Sequence, residues 1–267
     1  MYSEAAVKNS LGRSVCRKFC IAFLVNVLFF NSCSRKDEKV HVSVLPEVIN
    51  AELHFRGYVT DEEEELVSQI YNFSRRVTRT DTINGKSVFA QVSNNQESYF
   101  YTDDDGTVWE FNATDIGARV AKYGFSYREP VILRRWEMLL RIDDGVGTEW
   151  QVNTDTTFDA ITMDGQVQKI RYIKQGKAQY EGWTETYLPE AYANVPVLEA
   201  NWLTLNTYII NDATGDTLFA TEGRAHQYFK PGVGAVKYIT NFSMKELDEP
   251  EVARLGTWEL VRKEIPE

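Results

Sequence analysis

Along most of this chain apolar and polar residues alternate in steps of two, not three or four. In Gln69–Arg79, Tyr71, Phe73 and Val77 share one side, while Asn72, Ser74, Arg76 and Thr78 share the other. Successive side chains of an extended strand point to opposite faces, so this period predicts half-buried β-strands. Val88, Ala90 and Val92 continue the alternation beyond Asn84-Gly85, a dipeptide suited to the positive φ angles of a tight hairpin. Ser98–Thr102 and Thr107–Phe111 are predicted to pair across Asp104-Asp105-Gly106. More strands follow at Glu149–Asn153, Val167–Ile173, Trp202–Ile210, Leu218–Thr221, Val236–Phe242 and Thr257–Arg262. Helical periodicity is scarce, and only Asp61–Glu65 and Met244–Leu255 have room for short helices. Strands joined by turn-length links favour an antiparallel arrangement, so a mainly β, single domain is expected over residues 40–267.

One short pattern recurs. Gly106-Thr107-Val108-Trp109-Glu110-Phe111 is echoed 41 residues later by Gly147-Thr148-Glu149-Trp150-Gln151-Val152, and more loosely by Gly256-Thr257-Trp258-Glu259-Leu260. That spacing suits a propeller blade, but no copy follows near residue 188 or 229, which argues against a propeller. The repeat reads instead as the start of a strand: glycine leaves the turn, threonine favours the strand, and tryptophan packs inward. The competing functional reading makes Trp109, Trp150 and Trp202 exposed surfaces for ligand binding.

The first residues follow different rules. Phe19–Phe30 is a twelve-residue apolar run interrupted by Asn26, shorter than the ~20 residues that cross a bilayer. Lys8, Arg13, Arg17 and Lys18 precede it, which is the layout of an export signal. Phe30-Asn31-Ser32-Cys33, followed by the polar tract Ser34–Lys39, resembles the lipobox of bacterial lipoproteins, with phenylalanine in place of the more usual leucine. The resemblance implies cleavage before Cys33 and acylation of its thiol, giving a signal peptide at 1–32 and an acylated cysteine with linker at 33–39. Cleavage after Ser34 would release a soluble protein, and no cleavage would leave a membrane anchor. Cysteine usage favours acylation. Besides Cys33 the chain has only Cys16 and Cys20, so a lipidated Cys33 leaves no free thiol in the exported part.

Pro231-Gly232 in His226–Tyr238 reads as a hairpin turn; the segment lacks the Gly-Lys-Ser/Thr ending of a phosphate loop. This segment resembles exported bacterial proteins of large antiparallel-β form, in which an aromatic-rich strand meets a Pro-Gly-Val-Gly-x-Val-Lys turn. The resemblance implies a large antiparallel curled sheet or half-barrel, like that of the periplasmic lipoprotein carriers, which cup acyl chains. It assigns no residue here to that task.

Charge and missing motifs narrow the function. The net charge of −10 divides into +3 for residues 1–32 and −13 for the rest, and so acidic a body repels nucleic acid. Neither a Gly-x-Ser-x-Gly elbow nor a His-Glu-x-x-His pair is present, and His41, His54 and His226 are dispersed. Asp103-Asp104-Asp105-Gly106 lacks the spaced ligands of an EF-hand, and Asp212–Asp216 reads as another turn. Asp81-Thr82-Ile83, Asp155-Thr156-Thr157 and Asp216-Thr217-Leu218 resemble Asp-Thr sites O-glycosylated in some exported bacterial proteins. No catalytic, metal or cofactor site is assigned. The expectation is a non-catalytic lipoprotein of the bacterial envelope, at the outer membrane, tethered to the membrane through Cys33 and binding an apolar ligand, a glycan or an envelope protein. A glycan-active hydrolase using paired carboxylates and a structural part of an envelope assembly are the alternatives.

Overall fold

The computed structural model describes residues 43–266 apart from Glu47, Glu62, Asn94 and Asn95. The signal segment, Cys33 and His41 lie outside the described residues. Twelve strands form one antiparallel sheet: β1 Glu52–Thr60, β2 Tyr71–Ile83, β3 Lys86–Ser93, β4 Gln96–Thr102, β5 Val108–Asp115, β6 Ile132–Leu140, β7 Glu149–Ile161, β8 Val167–Leu188, β9 Ala193–Asn211, β10 Thr217–Lys230, β11 Gly234–Glu246 and β12 Val252–Glu264. Their order is β6-β5-β4-β3-β2-β1-β12-β11-β10-β9-β8-β7. Sequential strands are therefore neighbours throughout, except that the first and last strands pair in the middle. The consecutive strands β6 and β7 become the two edges.

The sheet curls until those edges face each other. Phe100, Val108 and Leu140 of β4–β6 share one buried cluster with Trp150, Ala178, Leu198 and Ala225 of β7–β10, an assembly that a flat sheet would hold apart. Register shifts supply the bending, among them two in the β8–β9 hairpin near Ala178 and Gly182. At one end of the sheet a short helix, α1 (Ile116–Ala121), puts Ile116 and Val120 against Ala160, Ile170 and Ile209. The loop after it exchanges two backbone hydrogen bonds with β7, Ser126 with Ile161, at 2.7 and 2.8 Å. At the other end Val44 and Leu45 enter the main core, and Leu188 and Val197 of the β8–β9 hairpin pack on Leu53, Phe55 and Leu260.

Several local expectations hold. Asn84 and Gly85 have φ of 53° and 78° in a two-residue hairpin. Pro231–Val233 turns β10 into β11, and Asp212–Asp216 turns β9 into β10. Neither segment with room for a short helix forms one. Asp61–Glu65 is a loop in which the Asp61 carboxylate accepts the Glu65 N–H at 2.9 Å and Glu64 takes φ 64°, outside helical geometry. Met244–Leu255 divides into the end of β11, a turn and the start of β12, because Met244 pairs with Val252 across the two strands. The helix that does form is capped by Asp115, which accepts the Ala118 N–H at 2.9 Å.

Candidate functional site

The alternation that builds β2, β5 and β6 also carries charged residues to the concave face. Arg75 shares its side of β2 with Phe73 and Val77, Glu110 follows Val108 on β5, and Arg135 and Glu137 lie between Leu133 and Leu139 on β6. These positions carry charge where the period calls for an apolar residue. Glu110 and Glu137 reach a half-open cavity of about 380 Å³, whose walls also include Asn112, Lys174, Trp202, Gln227, Tyr238 and Trp258, while Arg75 lines smaller hollows beside it.

Glu110 and Glu137 are direct cross-strand partners, which places their Cβ atoms about 5 Å apart. Their environments differ. Burial pushes Glu137 up, but Lys174 and Arg135 together outweigh it and hold the carboxylate below its ordinary range. Lys174 Nζ donates to Oε2 at 2.6 Å and Arg135 Nε donates to Oε1 at 2.8 Å. Glu110 is pushed up, chiefly by burial and further by Glu137, with Arg75 and Lys174 opposing. Glu110 is set deep within the sheet's concave side and stays partly exposed, because it lines the cavity. The arrangement pairs a doubly held carboxylate of lowered proton affinity with one whose proton affinity is raised.

The aromatic residues divide between two faces. Trp202 is 6% exposed, meets Trp150 edge-on at 6.0 Å, and donates from Nε1 to Gln227 Oε1 at 3.3 Å on the cavity wall. Trp150, at 4% exposed, is a core residue. Trp109 departs from the inward packing expected of the repeat. Val108 takes the inner position, and the unbroken alternation of β5 turns Trp109 to the other face, where it stacks on Tyr101 at 6.2 Å. Trp109, Trp150 and Trp202 therefore share no common surface. Of the three, Trp202 reaches the cavity, joined there by Trp258. The chain's largely exposed tryptophan is Trp183 on β8, at 57%.

The remaining motif residues serve local structure. Asp103 accepts the Thr107 N–H at 2.8 Å and Trp109 Nε1 at 2.9 Å, holding the β4–β5 turn. His226 Nδ1 lies 2.7 Å from Glu199 Oε1. Outside the cavity, Glu52, His54 and Glu264 converge on β1 and β12, but Arg262 already pairs with Glu264 there. The charged cavity itself escaped the sequence reading. Its available signal was the placement of Arg75, Glu110 and Glu137 in phase with apolar neighbours.

Scans against protein-family models and curated proteins return no match. Among solved structures, the chain is similar to a protein of Parabacteroides distasonis ATCC 8503 described as a candidate lipoprotein, with 10% identity and a TM-score of 0.42. It is also similar to a protein of Bacteroides fragilis NCTC 9343 described as a candidate exported protein with a YmcC-like fold, with 8% identity and a TM-score of 0.33. Each comparison covers 84% of this chain and 99% of the other. Neither carries a function across. The chemistry of the cavity has to be argued from its own residues.

Proposed function

We propose that this protein is an envelope lipoprotein, tethered through Cys33, whose curled sheet binds a small polar ligand with a flat apolar face, of the saccharide class. The carrying observation is the cavity of about 380 Å³, where Trp202, Tyr238 and Trp258 stand among Glu110, Asn112, Glu137, Lys174 and Gln227. That volume falls in the usual range for small-molecule sites. Aromatic side chains match the C–H faces of a sugar ring, and the amide and charged groups match its hydroxyls. An acyl chain fits this interior less well than it fits the carriers that the sequence resembles. It would bury ionised Glu137 and Lys174 against hydrocarbon, and charged groups lose much solvation there. Thermal unfolding and tryptophan fluorescence against a panel of sugars and fatty acids test the reading. Saturable stabilisation by a sugar is expected, weakened at least tenfold in Trp258→Ala. Binding of fatty acids alone would sink it. The tether is tested separately with a clickable fatty acid, which should label the wild type and leave Cys33→Ala unlabelled.

A second reading, hydrolysis by paired carboxylates, draws on the split environments of Glu110 and Glu137. The two bonds that hold Glu137 to Lys174 and Arg135 favour binding over nucleophilic attack. Turnover of a bound glycan that is lost in Glu110→Gln would reverse that order.

A further inference from the structure

The guanidinium of Arg75 is enclosed by three rings, with its central carbon 4.7 Å from the centre of Trp258, 5.1 Å from Phe55 and 5.8 Å from Phe73. Burial lowers its proton affinity and Glu110 partly restores it. An arginine remains charged in proteins even so. Among the described residues no carboxylate lies within 4.0 Å of Arg75, and Glu110, the acid that acts on it, stands beyond ion-pair distance. Arg75 is half-buried, and a charge drawn that far from water is ordinarily paired, because its lost hydration is otherwise uncompensated. Ring faces offset part of that cost without neutralising the charge.

Beside Arg75 is a second, polar hollow of about 170 Å³, walled by Gln91, Ser93, Gln96, Ser98 and Glu110. Gln91 is 8% exposed. A narrower space of about 70 Å³ also joins Arg75, Gln91 and Glu110. Glu110 lines both hollows and the main cavity, so a ligand in the main cavity is within one side chain of this pocket.

We propose that Arg75, with Gln91 and Ser98, forms an oxyanion subsite, and that the ligand is an acidic saccharide whose carboxylate or sulfate seats against the guanidinium. The subsite rests on the saccharide reading of the main cavity. A guanidinium fork presents paired N–H donors to two oxygens of such a group, the glutamine amide supplies another, and the Ser98 hydroxyl, which donates to Glu110, can turn to the ligand in its place. Burial raises the proton affinity of Glu110, which eases the uptake of a proton by this carboxyl when an anion seats beside it.

The test titrates purified protein with glucuronic acid, galacturonic acid and glucose 6-sulfate, against glucose and galactose, at matched ionic strength. Inorganic sulfate is included to separate a bare-anion site from a sugar-borne one. Readouts are thermal unfolding and tryptophan fluorescence, to which Trp258 beside Arg75 contributes. The acidic sugars are expected to bind at least tenfold more tightly than the neutral ones. Arg75→Met should remove that preference, and Arg75→Lys, which keeps the charge and guards against a folding defect, should retain part of it. Stabilisation by sulfate alone that depends on Arg75 supports the subsite and rejects the saccharide. Neutral sugars binding as tightly as acidic ones, with Arg75→Met unchanged, overturn the subsite and leave the saccharide reading in place. Absence of any anion-dependent effect in the wild type also overturns it.

Discussion

Glu137 offers the sharpest test of the polar interior. Replacing it with glutamine keeps its shape and removes the charge that Lys174 and Arg135 share. Breaking a buried ion pair from one side costs about 3–5 kcal/mol, because the partner is left charged and unpaired. Here Glu137 is 9% exposed while Arg135 and Lys174 are 19% and 23% exposed, so water reaches both cations. The lower end, about 3 kcal/mol, is therefore expected. For a domain of this size that is a fall in Tm of roughly 6–12 °C. The pH dependence has a definite sign. The folded-state affinity of Glu137 for a proton lies below the ordinary value of 4.5, so its stabilisation is present above that pH and is lost as pH falls through the folded pKa. Thermal and urea unfolding of wild type, Glu137→Gln, Lys174→Met and the double variant should show the gap narrowing in acid. The double variant should lose less than the two single losses combined. A loss under about 1 kcal/mol at pH 7, or a gap that is constant down to pH 3, would refute the reasoning that the network is buried and ionised.

Glu110 should behave in the opposite sense. Its folded-state pKa is raised, so its ionisation counts against folding as pH rises above 4.5; Glu110→Gln should unfold at a higher temperature than wild type at neutral pH, and the two curves should converge in acid. Gly223→Ala should destabilise by about 2 kcal/mol or more, because the new methyl would stand 2.7 Å from Phe242 Cβ and 2.8 Å from its Cα, against the Asn241 carbonyl on β11. Urea unfolding measures this, and a change within 0.5 kcal/mol would show that β10 and β11 separate easily at this point.

Much of the fold follows from local pattern. The period of two in Tyr71–Val77 and Val88–Val92, the positive-φ pair Asn84-Gly85 and the turn at Pro231-Gly232 each depend on neighbouring residues, and each appears where the alternation places it. Period also set which residues share a face, and so Arg75 was already in phase with Phe73 and Val77, and Glu110 with Val108. What alternation leaves open is which face becomes concave and which strands close the sheet, since both faces of a strand read alike until long-range pairing chooses. Pairing of β1 with β12, some 200 residues apart, made β6 and β7 the edges and brought Glu137 to Lys174. The same closure took Trp150 and Trp202 into the interior, while the choice of Val108 and Glu110 as inward residues of β5 left Trp109 on the outer face. The sequence alone thus determined the strands, their turns and the phase of each charged residue. Only the tertiary structure decided that those charges face a common cavity, because that depends on contacts between residues far apart in the chain.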